Sequence, residues 1–322
     1  MRGSDVSIVI VSHNVRDLVA ACLGSIDAER SRSGLFIETL LCDSASADGT
    51  AEHVAAAFPW ARVLPSRQNL GFTGGNNRGL RLARGRHLLL LNPDTELRPG
   101  AIDALASYLD AHPDVAAVGP RLVRGDGSTQ PSRRRFPGRL TGFVESTVLQ
   151  RWLGDTALLR RFYMADVPDD RDQDVDWLMG AAIMARAGAL RAVGLFDERF
   201  FMYSEEVDLC RRIKSAGWRI VYLPSATVVH HEGKSSEQNL TARDLRFHES
   251  RFLYYAKHHG WGWALLLRLA TLGHFAFLTG EEAGKWLLRP STRDLRRGRI
   301  RSHREVIAAQ SGRLLRAALG RA

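Results

Sequence analysis

The feature that most limits what this chain can fold into is a regular alternation of short apolar runs with helical stretches over its first 120 residues. Such apolar runs, separated by segments of helical spacing, are typical of buried strands. Together they predict an α/β fold with a mostly parallel sheet and helices on both faces. The predicted strands are Val6–Val11, Ile37–Asp43, Ala61–Ser66, His87–Asn92 and Val115–Pro120.

The charge balance indicates an anionic partner. The chain has 322 residues, a formal net charge of +10 and a sequence pI near 10.1. Nucleic acid, an acidic membrane surface and phosphorylated ligands all fit this excess. The three cysteines are far apart without a CxxC pair, which fits a reducing cytosol. The first apolar run is too short for a secretory signal, so we expect a cytoplasmic protein.

Two segments depart from the alternation. Residues from about Arg121 to Asp174 are polar, basic and rich in turn residues around "VRGDGSTQPSRRRFPGRL", which predicts a mobile loop. The apolar stretch Trp263–Gly280 is interrupted by Arg268 and His274. A charged residue near the centre of a spanning helix is costly, so the stretch predicts a buried or membrane-surface helix. The Arg-rich tail after it fits either solvent or anionic headgroups.

Polar side chains follow four consecutive predicted strands. In open α/β sheets, ligands bind beyond the carboxyl ends of the strands, so these side chains predict a site there. They are Ser12, His13 and Asn14, then Asp43 and Ser44, then Gln68 and Asn69, then Asn92 and Asp94. The glycine-rich "NLGFTGGNNRG" that leads into a helix matches neither a dinucleotide-binding fingerprint nor a phosphate loop.

An acidic cluster opens another predicted helix. Glu205, Glu206 and Asp208 follow Ser204, a candidate N-cap, and an aromatic run. Acids in a first helical turn gain about 0.3–1 kcal/mol each from the helix dipole. Stabilisation of the first helical turn alone does not explain three acids within four positions. A catalytic carboxylate is therefore the more specific hypothesis.

Together these motifs resemble the family 2 inverting glycosyltransferases, in the rhamnosyltransferase-like branch. The resemblance covers about Val6 to Ser236 and rests on "SIVIVSHN", "CDSASADGT", "NLGFTGGNNRGL", "LLLLNPDTEL", "VDWLMGA", "FMYSEEVDLC" and "VVHHEG" in this order. It implies a Rossmann-like GT-A fold, a nucleotide-diphosphate sugar donor and Mg²⁺ or Mn²⁺. It also implies a division into a transferase domain, 1–238, and a C-terminal helical, basic segment, 239–322. Within the first, 1–120 would bind the nucleotide and 174–238 would carry acceptor binding and catalysis.

The resemblance also implies roles for individual residues. The donor nucleotide would contact Ser12, Asn14, Asp43, Asn69, Gly71, Gly75, Asn76, Asn77 and Asn92. The metal would be held by Asp94 and His230, and the acceptor by Asp176, Trp177 and Gly180, although Trp177 fits a core position equally well. Glu206 aligns with the catalytic base, with Glu205 and Asp208 as alternatives. The family usually has Asp there, and a shift of about 1 Å can cost on the order of 10²-fold in rate.

The predicted function is metal-dependent sugar transfer in cell-surface polysaccharide synthesis, at the inner face of the membrane. The branch implies dTDP-rhamnose, but these residues do not separate it from a UDP-sugar. A saccharide or polyprenyl-linked acceptor fits, with peripheral membrane contact and no nucleic acid. Two alternatives stay open: a catalytically weak sugar-nucleotide-binding relative, and a sugar nucleotidyltransferase.

Overall fold

The computed structural model describes residues 3–231 and 240–318, with side chains through residue 312. The chain forms two compact units. The larger comprises Met1–Phe136 and Arg161–Ser235, and the smaller comprises Pro137–Arg160 and Ser236–Ala322. Segment Pro137–Arg160 thus groups with the C-terminal helices, although it lies within predicted domain 1–238. The predicted boundary at 238–239 lies outside the described residues, and the two-domain division stays a prediction.

Strands and helices alternate through the larger unit. The strands are β1 (Val6–Ser12), β2 (Ile37–Ser44), β3 (Ala61–Ser66), β4 (His87–Leu91), β5 (Thr95–Leu97), β6 (Val115–Val123), β7 (Thr129–Gln130), β8 (Arg133–Arg134), β9 (Gln173–Asp174), β10 (Trp177–Leu178), β11 (Ala182–Arg186) and β12 (Arg219–His230). The helices of the whole chain are α1 (Arg16–Arg32), α2 (Thr50–Ala57), α3 (Gly71–Leu82), α4 (Ala101–Ala111), α5 (Thr141–Glu145), α6 (Gln150–Leu153), α7 (Ala157–Phe162), α8 (Ala187–Ala192), α9 (Glu205–Ser215), α10 (Leu240–His258), α11 (Trp261–Leu288) and α12 (Arg293–Ala318). A short 3₁₀ helix at Pro290–Thr292 joins α11 to α12.

The sheet confirms the predicted α/β class. Its main strand order is β3-β2-β1-β4-β11-β6-β12-β5. Strands β3, β2, β1 and β4 are parallel to one another, and β6 is parallel to β12. Strand β11 runs antiparallel to β4 and β6, and β5 runs antiparallel to β12. Strand β4 is buried along its whole length, as expected for a strand covered on both faces.

The glycine-rich segment is part of a helix rather than a turn before one. Helix α3 begins at Gly71, inside the segment that was predicted to lead into a helix. A Cβ at Gly75 would lie 2.7 Å from Val11 Cγ1, and one at Gly79 would lie 2.5 Å from Val9 Cγ1. Glycine therefore lets α3 pack closely against β1, which the sequence pattern did not predict.

The predicted mobile loop is wrong over its first part. Strand β6 extends to Val123, and the two arginines of β8 are buried. Arg133 donates to the Gln173 side chain (2.5 Å) and to the Val167 carbonyl (2.7 Å). Burial of a guanidinium is tolerated when such acceptors satisfy it. Arg133 and Arg134 of the basic run are therefore part of the interior of the larger unit.

The smaller unit is helical and joined by polar contacts among its own segments. Tyr255 Oη of α10 donates to the Gly138 carbonyl (2.8 Å) and accepts a hydrogen bond from Gly142 N (2.8 Å). Arg251 pairs with Glu145 at 2.5 Å. In the described ranges, α11 is the one helix that is long and apolar enough to cross a membrane, by length and composition alone.

Gly79→Ala tests the close packing of α3. We expect it to lower the free energy of unfolding by about 1–3 kcal/mol, because the new methyl overpacks against Val9. Gly24→Ala on α1 is the matched control: nothing lies within 4 Å of the added Cβ, so helix propensity should raise stability by up to about 1 kcal/mol. Thermal unfolding of the full chain measures both. Equal stability of the two variants would contradict the close approach.

Candidate functional site

Asp43 lies at the carboxyl end of β2, opposite Ser12 of β1, and is buried. Ser12 Oγ donates to Asp43 Oδ1 at 2.9 Å. Ser46 donates to the same carboxylate through its backbone N (3.1 Å) and its Oγ (2.5 Å). The carboxylate is therefore held in one orientation at the predicted nucleotide edge. Ser46 was missed by the sequence analysis, although its position three residues after an Asp is typical of local side-chain bonding to the backbone.

Asn14 ties the loop after β1 to the loop after β2. Its φ is 54°, in the left-handed region that Asn tolerates. Asn14 Oδ1 accepts a hydrogen bond from Ala47 N at 2.7 Å, and its backbone N donates to Ser46 Oγ at 2.9 Å. The predicted donor-binding residues Asn14, Ser12 and Asp43 thus lie together.

The other predicted donor residues surround the start of α3. Asn69 Oδ1 accepts a hydrogen bond from Gly71 N at 2.9 Å, and a Cβ at Gly71 would lie 2.5 Å from the Phe201 carbonyl oxygen. That oxygen accepts hydrogen bonds from Phe72 N (3.0 Å) and Thr73 N (3.5 Å). The amides of Phe72 and Thr73 in the first turn of α3 are therefore bonded to the loop that precedes the acidic motif.

Asn76 and Asn77 are buried, and their side-chain amides serve the fold. Asn76 Nδ2 donates to the Phe72 carbonyl at 2.9 Å. The Asn77 amide pairs with the backbone of Phe196, donating to its carbonyl (2.9 Å) and accepting from its N (3.0 Å). Asn77 also donates to Glu198 Oε1 at 2.9 Å. These contacts position the loop after α8, and direct donor binding by Asn76, Asn77 or Gly75 stays a prediction.

Asp94 and His230 come together because β5 pairs with the end of β12, where His230 lies opposite Thr95. Both side chains are buried, and His230 Nε2 lies 3.4 Å from Asp94 Oδ1. Asp94 Oδ1 accepts no hydrogen bond from the part of the chain that the structure describes. Asn92, two residues before Asp94, donates its backbone N–H to the Ala181 carbonyl at 2.9 Å.

Gln130 fixes the orientation of His230. The Gln130 amide oxygen lies 2.9 Å from His230 Nδ1, so Nδ1 carries the proton and donates it. His230 Nε2 is then the ring nitrogen that faces Asp94 Oδ1. A histidine nitrogen and a carboxylate oxygen that face each other in this way fit a divalent cation. Within the described ranges, no group of three or more His, Cys, Asp or Glu side chains forms a complete metal site. Gln130 lies in the segment predicted as a loop, so no pattern pointed to it.

The acidic motif begins at a strained turn. Tyr203 and Ser204 have φ values of 72° and 62°, and such non-glycine residues cluster at functional sites. Ser204 is the N-cap residue of α9 as predicted, but its side chain makes no capping hydrogen bond. Glu205 is 5% exposed and Glu206 is half-buried. Burial, together with the neighbouring Glu206 charge, raises the pKa of Glu205 well above its ordinary value.

Glu206 lies against a predicted acceptor residue. A Cβ at Gly180 would lie 3.6 Å from Glu206 Cβ and 3.8 Å from its Cγ. Position 180 is therefore within contact distance of the Glu206 side chain. Asp208, the third acid, is fully buried and pairs with Arg212 Nε at 2.8 Å, an arrangement that stabilises α9.

Asp176 and Trp177 lie beside β8, which pairs with β10. Trp177 is 9% exposed, and its Nε1 donates to the Arg135 carbonyl at 2.9 Å. Asp176 Oδ2 accepts a hydrogen bond from Phe136 N at 2.8 Å. The burial of Trp177 favours the core position over a stacking floor, and the acceptor role of both residues stays a prediction.

Comparisons with known proteins agree with these motifs. A family model described as glycosyl transferase family 2 matches residues 7–167. The chain is 32% identical over 251 residues to N-acetylglucosaminyl-diphospho-decaprenol L-rhamnosyltransferase of Mycobacterium tuberculosis, covering 74% of this chain and 81% of that protein. It is 26% identical over 262 residues to rhamnosyltransferase WbbL of Escherichia coli, covering 78% and 93% of the two chains.

Solved structures share the fold. Mannosyltransferase PcManGT from Pyrobaculum calidifontis, in complex with GDP-Man and Mn²⁺, aligns with a TM-score of 0.55 at 18% identity over 98% of this chain and 88% of that chain. GalNAc-T7 with UDP, GalNAc and Mn²⁺ aligns with a TM-score of 0.53 at 15% identity over 71% and 44%. These alignments confirm the predicted GT-A-type fold.

Glu205→Gln tests the raised pKa of Glu205. At pH values between the unfolded and folded pKa of Glu205, the folded state binds a proton that the unfolded state has lost. The free energy of unfolding therefore falls as pH rises through this range, by about 1.4 kcal/mol for each unit that the pKa is raised. We expect the melting temperature of the variant to exceed that of wild type by more at pH 8 than at pH 5.

Glu198→Gln is the control of opposite sign. Hydrogen bonds from Asn77 and Arg81 lower the pKa of Glu198, so its contribution is present above the unfolded pKa and is lost as pH falls. Its removal should lower the melting temperature at pH 8. A Glu205→Gln effect that does not change with pH would contradict the buried, protonated carboxyl.

Proposed function

The chain belongs to glycosyl transferase family 2 and is a glycosyltransferase, and from this premise we propose that it transfers rhamnose, with inversion, from a nucleotide diphosphate to a lipid-linked saccharide. The observation that carries the proposal is the contrast between two adjacent carboxyls. Glu205 is buried with a raised pKa, whereas Glu206 is half-buried beside Gly180. This contrast supports Glu206, rather than Glu205, as the carboxyl that meets a substrate.

Glu206 is the general base of the proposed reaction. An acceptor hydroxyl beside Gly180 gives its proton to the Glu206 carboxylate as its oxygen bonds to the anomeric carbon. The bond from that carbon to the diphosphate oxygen breaks, and the diphosphate leaves with the electron pair. Such a base must lie about 2.6–3.2 Å from the hydroxyl oxygen. Burial excludes Glu205 from this position, and the ion pair with Arg212 occupies Asp208.

The longer Glu side chain is compatible with this role. The strained turn at Tyr203–Ser204 sets the start of α9, and the loop before it is fixed to α3 through Phe201 and Asn77. The Cβ and Cγ of Glu206 lie at contact distance from position 180, where glycine carries no side chain. This supports a pocket adapted to Glu, and it counts against the alternative of a catalytically weak relative.

Asp94 and His230 are the residues that would hold the divalent cation. The facing His230 nitrogen and Asp94 oxygen, and the Gln130 hydrogen bond to Nδ1, fit a metal that completes its coordination with diphosphate oxygens and water. When bound, the cation supplies positive charge that stabilises the leaving diphosphate. Asp43, oriented by Ser12 and Ser46, would accept a hydrogen bond from a pyrimidine N–H or a ribose hydroxyl.

The relatives guide the proposed substrates. The Mycobacterium tuberculosis protein is named for L-rhamnosyl transfer to N-acetylglucosaminyl-diphospho-decaprenol. We place this chain in the same class of reaction, with dTDP-rhamnose as the preferred donor and a UDP-sugar as the competing one. A polyprenyl-linked acceptor places the enzyme in the cytoplasm at the inner face of the membrane. The nucleotidyltransferase alternative lacks a supporting observation.

Glu206→Gln tests the base. We expect the rate of transfer to fall by about 10²–10⁴-fold, because the amide accepts no proton, while donor binding stays within a few fold of wild type. Initial rates with dTDP-rhamnose and a polyprenyl-diphospho-N-acetylglucosamine, and calorimetric binding of dTDP with Mn²⁺, measure the two quantities. Glu206→Asp is the matched variant, and partial activity is expected. Equal loss of donor affinity and rate would move Glu206 into donor binding.

His230→Ala tests the proposed metal site. We expect it to abolish the Mn²⁺-dependent thermal stabilisation by dTDP, which in wild type at 100 times Kd amounts to about 2.7 kcal/mol. His231→Ala is the matched control, because the neighbouring imidazole pairs with Glu96 at 2.6 Å instead. Stabilisation of wild type that survives EDTA would contradict the metal, and a preference for UDP over dTDP would redirect the donor.

A further inference from the structure

Exposed large apolar side chains concentrate in the smaller unit. In the larger unit, among the described residues, only Phe36 and Leu82 are of this kind. Large exposed apolar patches mark interaction sites with proteins or membranes. Those in the smaller unit are Leu140, Leu149, Trp152, Leu153, Leu158, Leu240, Trp261, Leu265, Leu266, Leu269, Phe277, Leu287, Leu288 and Leu295.

Helix α11 carries an exposed stripe without a charged or polar side chain. The stripe extends from residue 262 to residue 280, which is about 27 Å of helix at 1.5 Å per residue. Its spacing of three or four residues keeps it on one face. The exposed positions are Gly262, Leu265, Leu266, Leu269, Gly273, Ala276, Phe277 and Gly280.

Three polar residues of α11 are buried, although Glu281 and Lys285 near its C-terminal end are partly exposed. Arg268, Thr271 and Glu282 are each at most 6% exposed. The Arg268 guanidinium lies 3.5 Å from the centre of the Phe252 ring and 3.2 Å from Glu249. The buried side also contains Ala264, Leu267 and Phe275, whereas a surface helix in water carries polar residues on its outer face. The outer face of α11 is therefore suited to an apolar environment.

Segment Pro137–Arg160 extends this surface. Trp152 of α6 meets Phe277 of α11 edge to face, with ring centroids 6.3 Å apart, and both rings stay exposed. Arg151 fixes the contact through an ion pair with Glu281 at 2.9 Å. Tryptophan at such a position is typical of membrane–water interfaces.

The net charge of the chain resides in the same unit. The smaller unit has 19 Lys and Arg against 9 Asp and Glu, which gives +10, whereas the larger unit has 26 of each and is neutral. Six arginines near the α11–α12 junction are exposed, beside Leu287, Leu288 and Leu295. They are Arg289, Arg293, Arg297, Arg299, Arg301 and Arg304.

We propose that the smaller unit docks on an anionic lipid bilayer, with the apolar stripe of α11 and Trp152 inserted at the headgroup level and the α12 arginines on the lipid phosphates. A second copy of the chain would cover the apolar stripe but would oppose +10 with +10, so charge complementarity favours the lipid. The buried Arg268 and its partners keep α11 in the plane of the surface rather than across it. The inference deepens the proposed function, since it rests on a lipid-linked acceptor there.

Flotation of the full chain with vesicles tests the docking. We expect binding to phosphatidylcholine vesicles that contain 30 mol% phosphatidylglycerol, with weak binding to phosphatidylcholine alone. Alkaline carbonate should release the protein, as expected for a helix that lies on the bilayer. Equal binding to both vesicles, or none to either, would overturn the proposal. Retention after carbonate would show a spanning helix instead.

Two pairs of variants separate the apolar and the basic contributions. Leu266→Glu/Leu269→Glu should abolish flotation, whereas Phe36→Glu, at a similarly exposed apolar position in the larger unit, should not. Arg297→Glu/Arg301→Glu should weaken binding by at least about 30-fold, because each basic residue near an anionic surface contributes about a fivefold gain. Arg62→Glu, at an exposed position of β3 in the larger unit, is its control.

Further readouts distinguish this proposal from the proposed function. The two double variants, Leu266→Glu/Leu269→Glu and Arg297→Glu/Arg301→Glu, should keep the Mn²⁺-dependent stabilisation by dTDP. They should lose activity only on an acceptor that is embedded in vesicles. Flotation needs no catalysis, so an inactive protein that still floats would leave the docking intact. A wild-type dimer in light scattering that dissociates in Leu266→Glu/Leu269→Glu would assign the apolar stripe to a second copy and overturn the lipid assignment.

Discussion

The site depends on one set of backbone hydrogen bonds, between the start of α3 and the loop before α9. The first amides of a helix need acceptors, and here the Phe201 carbonyl accepts from Phe72 N and Thr73 N. The Asn77 amide fixes the same loop through Phe196. Because α3 packs against β1, these hydrogen bonds connect the acidic motif to the sheet and fix its position.

This fixed position places two chemically equal carboxyls in different environments. Glu205 turns into the interior, where desolvation favours the protonated form, and the half-buried Glu206 lies beside Gly180. The two histidines at the end of β12 also have different partners. Gln130 orients His230 toward Asp94, and His231 pairs with Glu96. In each case a neighbouring pair is separated by its contacts and not by its residue type.

Much of the fold followed from local pattern, since alternating strands and helices are encoded over short windows. The predicted strand starts at Val6, Ile37 and His87 agree with the structure. The pattern failed where residues serve distant partners. Gly75 and Gly79 signal a turn by composition, but they are needed for helix packing against β1. Arg133 signals a solvated loop, but acceptors 34 and 40 residues away bury it.

By itself, the sequence determined the α/β class, the strand-end polar residues, the acidic motif and the total charge of +10, because each is a local or additive property. Only the tertiary structure decided which acids of the motif are buried, which side chains orient His230, and that the charge and the exposed apolar residues belong to one unit. Burial and long-range pairing depend on contacts between segments far apart in the chain, and no short window of residues contains that information.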